Sequence, residues 1–175
     1  MAQRDYLLDT TTLSVFSRLK SGRRDTQCDA LSKKLDQLPP DAKLFLCPIC
    51  VGEMERGARI APNPAILSDI RSAISSFKGV LPIDEKVASE CYSELWARLF
   101  NHYAAKDKRV GAPEKIRRRE LLSPTHSYDM QVQENDLWLT AVAMYHKLIL
   151  VTHDKMERLR SISKDDVQFE DWLKQ

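Results

Sequence analysis

Short unbroken apolar runs alternate along the chain with stretches in which apolar residues recur every three or four positions. Tyr6-Leu7-Leu8, Leu44-Phe45-Leu46-Cys47, residues 79–83 and residues 148–151 read as buried strands, and 167–169 as a short fifth. Leu13, Phe16 and Leu19 predict a helix over 12–19 that stops near Gly22, and Cys28, Leu31, Leu35 and Leu38 predict another over 25–38, closed by Pro39-Pro40. Further helices are expected over 49–60 and 65–77. The longest runs from 86 to 103 behind an Asp84 cap, with Ala88, Cys91, Leu95, Leu99 and Tyr103 as one stripe. A helix over 136–147 precedes the fourth strand, and a short one follows Asp154. Residues 106–133 carry no clean period. Apolar strands alternating with helices imply an α/β fold of three layers, a parallel sheet covered on both faces.

Composition narrows the class. A chain of 175 residues suits a single domain over 1–175, and 43% hydrophobic with 30% charged residues excludes wholesale disorder. The longest nearly apolar stretch, 44–52, is far short of the ~20 residues of a membrane helix. The amino terminus, Met-Ala-Gln-Arg-Asp, is polar and leads straight into the first strand. No membrane association or signal peptide is therefore expected, and the location expected is cytoplasmic. Four cysteines (28, 47, 50, 91) then read as reduced thiols. Cys47-Pro-Ile-Cys50 resembles half a zinc site without its second half, and reads as small apolar filling at the end of a strand. No glycine-rich phosphate loop is present among the five glycines.

The acids carry the chemistry. In an open parallel sheet, ligands bind beyond the carboxyl ends of the strands, near a switch in strand order. Asp9 ends the first strand, Glu53 lies in the helix after the second, and Asp154 sits three residues beyond the fourth. Asp136 opens the helix before that fourth strand, and a helix running antiparallel to its strand starts over the same edge. Each acid alone has a plainer reading: Asp9, Asp136 and Asp154 as helix caps, Glu53 as a surface acid beside Glu55. Together on one edge they repel one another unless a cation sits among them. Carboxylate oxygens suit Mg²⁺ or Mn²⁺, which bind substrate phosphates and support in-line phosphoryl displacement.

At these residues the chain resembles a known family. Tyr-Leu-Leu-Asp9-Thr-Thr-Thr-Leu, Cys-Val-Gly-Glu53-Met-Glu-Arg-Gly57, Glu-Asn-Asp136-Leu-Trp-Leu-Thr-Ala-Val-Ala and Leu-Ile-Leu-Val-Thr152-His-Asp154 occur in the order of the PIN domain. The likeness is closest to the VapC-type toxin ribonucleases of toxin–antitoxin pairs and covers about residues 5–160. The resemblance implies a five-stranded parallel sheet, a homodimer, Mg²⁺- or Mn²⁺-dependent endoribonuclease activity and a small antitoxin partner. It selects Glu53 over Glu55, because the family's Glu stands four residues before a Gly. Asp9, Glu53, Asp136 and Asp154 become the catalytic and metal-binding set, with Thr11 and Thr152 orienting the acids. Thr11 departs from the family's usual Asn or Ser, and 106–133 is longer than the matching linker in compact members.

Residues 106–120 concentrate Lys106, Lys108, Arg109, Lys115, Arg117, Arg118 and Arg119 against three acids, a local +4 in a chain of net charge +2. Lys108, Arg109, Lys115, Arg117, Arg118 and Arg119 are the candidates for RNA contact; a solvated loop or dimer contact is the alternative. His153 reads as an ordinary loop histidine, and Tyr92, Trp96, Trp138 and Tyr145 as core or dimer-face residues. Two other functions remain open to the sequence: an RNA- or protein-binding module on the PIN scaffold without catalysis, and a nuclease acting on DNA.

Overall fold

The structure, a computed structural model, describes residues 4–103 and 132–174. Five short parallel strands form one sheet: β1 (Tyr6–Leu8), β2 (Leu44–Leu46), β3 (Gly79–Val80), β4 (Ile149–Val151) and β5 (Phe169–Glu170). Their order is β3-β2-β1-β4-β5. Tyr6 pairs with both Leu44 and Ile149, so β1 is central and every residue of it is buried. The chain steps outward from β1 to β2 and β3, then returns to the other side for β4 and β5. The switch in direction therefore falls between β1 and β4, where a crevice opens beyond their carboxyl ends.

The helices are α1 (Thr10–Lys20), α2 (Thr26–Asp36), α3 (Pro48–Ile60), α4 (Ala65–Ile74), α5 (Ser93–Tyr103), α6 (Glu134–His146) and α7 (Glu157–Ser163). The expected α/β architecture is present, and the expected helices lie within a few residues of the observed ones. The third and fifth strands differ most: the one expected over 79–83 stops at Val80, and β5 lies at 169–170 rather than 167–169. The second strand is not fully buried: Leu44 and Phe45 are only partly buried, packed against the core.

Local chemistry explains several boundaries. Asp9 and Asp25 cap α1 and α2, each accepting from the backbone N–H three residues on, and Pro48 opens α3 where its missing N–H costs nothing. Lys147 ends α6 with φ 55°, while Leu148 N–H returns to the Ala143 carbonyl at 2.9 Å. That tight stop leaves only two residues before β4, so α6 runs back against the sheet with its first turn over the crevice.

The long predicted helix contains an irregularity. Residues Val87–Tyr92 form a π-helical segment that continues into α5, behind the expected Asp84 cap (3.0 Å to Val87 N–H). Its buried face carries Val87, Cys91, Leu95 and Leu99, a strict spacing of four. In a regular helix that spacing drifts by about 40° per turn. The wider π turn takes up the drift and keeps the stripe on the core. Tyr92 stacks on Trp138 of α6 with centroids 3.8 Å apart, tying this segment to the helix that carries Asp136. No helix among the described residues is long and apolar enough to cross a membrane.

Candidate active site

Beyond the carboxyl ends of β1 and β4 lies a cavity of about 340 Å³, and Asp9, Glu53, Asp136 and Asp154 all line it. Asp9 follows β1 directly, Glu53 stands in the second turn of α3, Asp136 is the third residue of α6, and Asp154 follows β4 by three residues. Four segments distant in sequence thus meet at the strand-order switch. Thr11 shares the cavity wall. The basic candidates Lys108, Arg109, Lys115, Arg117, Arg118 and Arg119 lie outside the described residues.

Asp9 is 2% exposed. Its Oδ1 accepts the Thr12 N–H at 2.6 Å, whereas its Oδ2 is buried with no hydrogen-bond partner. Burial pushes its carboxyl up; the Thr12 and Thr152 side chains and the Thr12 N–H draw it down by less, and the Asp154 charge adds to the rise. Thr152 also accepts the Asp154 N–H at 3.0 Å, so one threonine touches the surroundings of two acids. Asp136 is pushed up to about 6 by burial first, then by the charges of Asp154, Asp9 and Glu53. The repulsion expected of four acids on one edge is therefore felt at Asp136.

Two residues that the sequence did not single out hold Glu53. The Thr10 hydroxyl donates to its Oε2, and Asn135 Nδ2 donates to its Oε1 at 2.5 Å. Thr10 is 43 residues from Glu53 and Asn135 is 82, so neither contact leaves a local pattern in the chain. The only local signal is adjacency, since Thr10 follows Asp9 and Asn135 precedes Asp136. Glu55 faces away, bonded to Arg59 at 3.1 Å and to Arg71 at 2.9 Å, which holds its carboxyl below the usual range. The half-turn between Glu53 and Glu55 separates the cavity face of α3 from its solvent face.

Cys47 and Cys50 are fully buried free thiols with Sγ atoms 3.7 Å apart. His153 turns to Asp171, with Nδ1 3.1 Å from both carboxylate oxygens, and does not line the cavity.

The donor set suits a hard divalent cation: all-oxygen ligands, one buried carboxylate oxygen without a partner, and acids that repel one another. Among the described residues no three acids, histidines or cysteines are drawn together as a finished ion cage. The carboxylates line the cavity wall, with Glu53 hydrogen-bonded to Thr10 and Asn135.

No protein-family model matches the chain, and no curated relative matches it. Solved structures do. A chain of VapBC-1 from nontypeable Haemophilus influenzae is similar over 97% of this chain and 99% of its own, at 22% identity and a TM-score of 0.62. One from VapBC2 of Rickettsia felis, bound to a DNA fragment from their promoter, is similar over 96% and 98%, at 17% identity and 0.65. One from DNA-bound VapBC of Salmonella typhimurium is similar over 97% and 99%, at 19% identity and 0.59. At such identities the likeness is one of fold, and in fold this chain matches the VapBC toxin–antitoxin structures along nearly its full length.

Proposed function

We propose that the chain is a metal-dependent endoribonuclease and the toxin of a toxin–antitoxin pair. The observation that carries the reading is the convergence of Asp9, Glu53, Asp136 and Asp154 on one cavity at the sheet's switch point, with a buried Asp9 oxygen lacking any protein partner. The fold-level likeness to VapBC structures agrees with it and supports a small antitoxin as partner. The homodimer implied by the family resemblance belongs to the same reading.

The four acids would hold one or two Mg²⁺ or Mn²⁺ ions. A cation bound there supplies Lewis-acid chemistry, easing deprotonation of water and stabilising oxygens during phosphoryl displacement. The protein's part is to place the acids. The Thr12 N–H fixes Asp9, Thr10 and Asn135 fix Glu53, and Thr152 fixes the turn that presents Asp154. Water adds in line to the scissile phosphorus as the P–O3′ bond breaks; the water gives up a proton to solvent or a carboxylate, and O3′ takes one up to leave as the hydroxyl. The products carry 5′-phosphate and 3′-hydroxyl ends.

The test is cleavage of single-stranded RNA and of DNA of matched sequence, with Mg²⁺, Mn²⁺ or EDTA. The reading expects RNA cleavage that EDTA abolishes. Preferred cleavage of the DNA would make the chain a deoxyribonuclease, and RNA binding without cleavage by either metal would make it a binding module.

A further inference from the structure

Next to the acid cavity lies a second one of about 460 Å³, and the two share Gln133, Asp136, Asp154 and Met156 as a common wall. The two cavities thus adjoin at two of the four acids, Asp136 and Asp154. Their charge is not uniform. Arg56 lines the first cavity one turn beyond Glu53, and Lys155 and Arg158 line the second. Arg59, on α3, and Arg71, on α4, are paired to Glu55. Among the described residues Arg56 and Lys155 have no ion-pair or hydrogen-bond partner for their charged ends. Arg158 lies over the Tyr103 ring, 4.5 Å from its centroid, which fixes where its guanidinium sits.

The backbone between the two cavities is also unusual. Met156 adopts φ 42° and ψ 38°, a left-handed conformation that a non-glycine residue takes only when its surroundings impose it. At this turn Asp154 and Met156 line both cavities, while Lys155 between them lines only the second.

We propose that the two cavities are one binding groove for a single-stranded polynucleotide, with Arg56 in the first cavity and Lys155 in the second as phosphate-binding positions. The inference rests on the nuclease reading and adds the residues that seat its substrate. The acids alone repel a polyanion; a cation in each cavity holds a phosphate beside the one over the carboxylates. The backbone thereby acquires a defined path across the site. These are positioning residues, acting on the strand and not on the breaking bond.

The test uses the full chain and a fluorescently labelled single-stranded RNA. Binding is measured in EDTA across a salt series, and cleavage in Mg²⁺. Arg56→Ala and Lys155→Ala are compared with Lys33→Ala, which removes the same charge from α2, a helix lining neither cavity. Each groove variant is expected to bind about fivefold more weakly and to lose about 0.7 from the slope of log affinity against log salt, the share of one single-strand phosphate contact. KM should rise more than kcat falls, and Arg56→Lys and Lys155→Arg should recover most of the affinity. Affinity and salt slope that match Lys33→Ala would overturn the groove while leaving the nuclease reading intact, provided wild type cleaves. Wild type that neither binds nor cleaves RNA would overturn both.

Discussion

Asp9 and Asp25 begin their helices in the same way. Each is followed by a threonine, caps an 11-residue helix, and accepts the N–H three residues on, at 2.6 Å for Asp9 and 2.9 Å for Asp25. Their carboxyls nevertheless move in opposite directions. Asp25 is exposed, and its carboxyl is held low by the Cys28 N–H above all, with the Arg18 guanidinium, 3.4 Å away, adding to the effect. Asp9 is buried, has one oxygen without a partner, and is pushed up. The cap satisfies a helix in both cases. Only at Asp9 does it leave an unmet demand for a positive charge, and that difference separates a structural acid from a candidate catalytic one.

The largest expected contrast is in activity. Asp9→Asn keeps a good cap but removes the charge, and is expected to lower cleavage by on the order of 10³-fold or more, while Asp25→Asn leaves kcat/KM within about twofold. Circular dichroism should show both variants folded. Equal activity in the two would break the comparison.

Glu53 and Glu55 repeat it on α3. Glu53→Gln is expected to abolish metal-dependent cleavage, whereas Glu55→Gln loses only surface pairs with Arg59 and Arg71 and changes rates little. Kinetics on both variants check this directly. Thr10→Val, which frees one oxygen of Glu53, should cost about tenfold in kcat, and Thr10→Ser should restore it.

The same acids set a stability profile. Asp136 titrates at about 6 in the folded chain against an ordinary 3.8, so between those values the native state binds more protons than the unfolded one. Stability in EDTA should therefore fall as pH rises from about 4 to about 6, by on the order of 2 kcal/mol from this group, and stay lower above that. Asp9, raised for the same reason, adds to the fall; Asp25, held low, works the other way, its contribution present above its unfolded pKa and lost as pH falls through the folded one. Asp136→Asn should raise Tm in EDTA at pH 7 by about 4 °C or more, and Mg²⁺ should stabilise wild type but not the variant. Melting curves across pH and metal concentration test each sign.

Much of this was legible in the chain because the governing signals are local. Unbroken runs such as Tyr6-Leu7-Leu8 and Ile149-Leu150-Val151 announce buried parallel strands. The position of an acid just past such a run places it on the ligand-binding edge. What could not be read depends on contacts closed by the fold. Thr10 and Asn135 meet Glu53 only because α1, α3 and α6 converge, and the π-helical segment looks in sequence like any stripe with a spacing of four. The contrast between Asp9 and Asp25 is legible only in part. Asp-Thr reads alike as a cap at both positions, and the place of Asp9 just past a buried strand sets it apart, but its burial and its unpartnered oxygen come only with the fold.

The most direct test is one cleavage assay of a mixed pool of tRNA and single-stranded RNA, with wild type beside Asp9→Asn, in Mg²⁺, Mn²⁺ or EDTA. The account predicts cleavage by wild type in the presence of metal, none in EDTA, and none by Asp9→Asn under any condition. Equal cleavage by both proteins, or cleavage that EDTA leaves untouched, would contradict it.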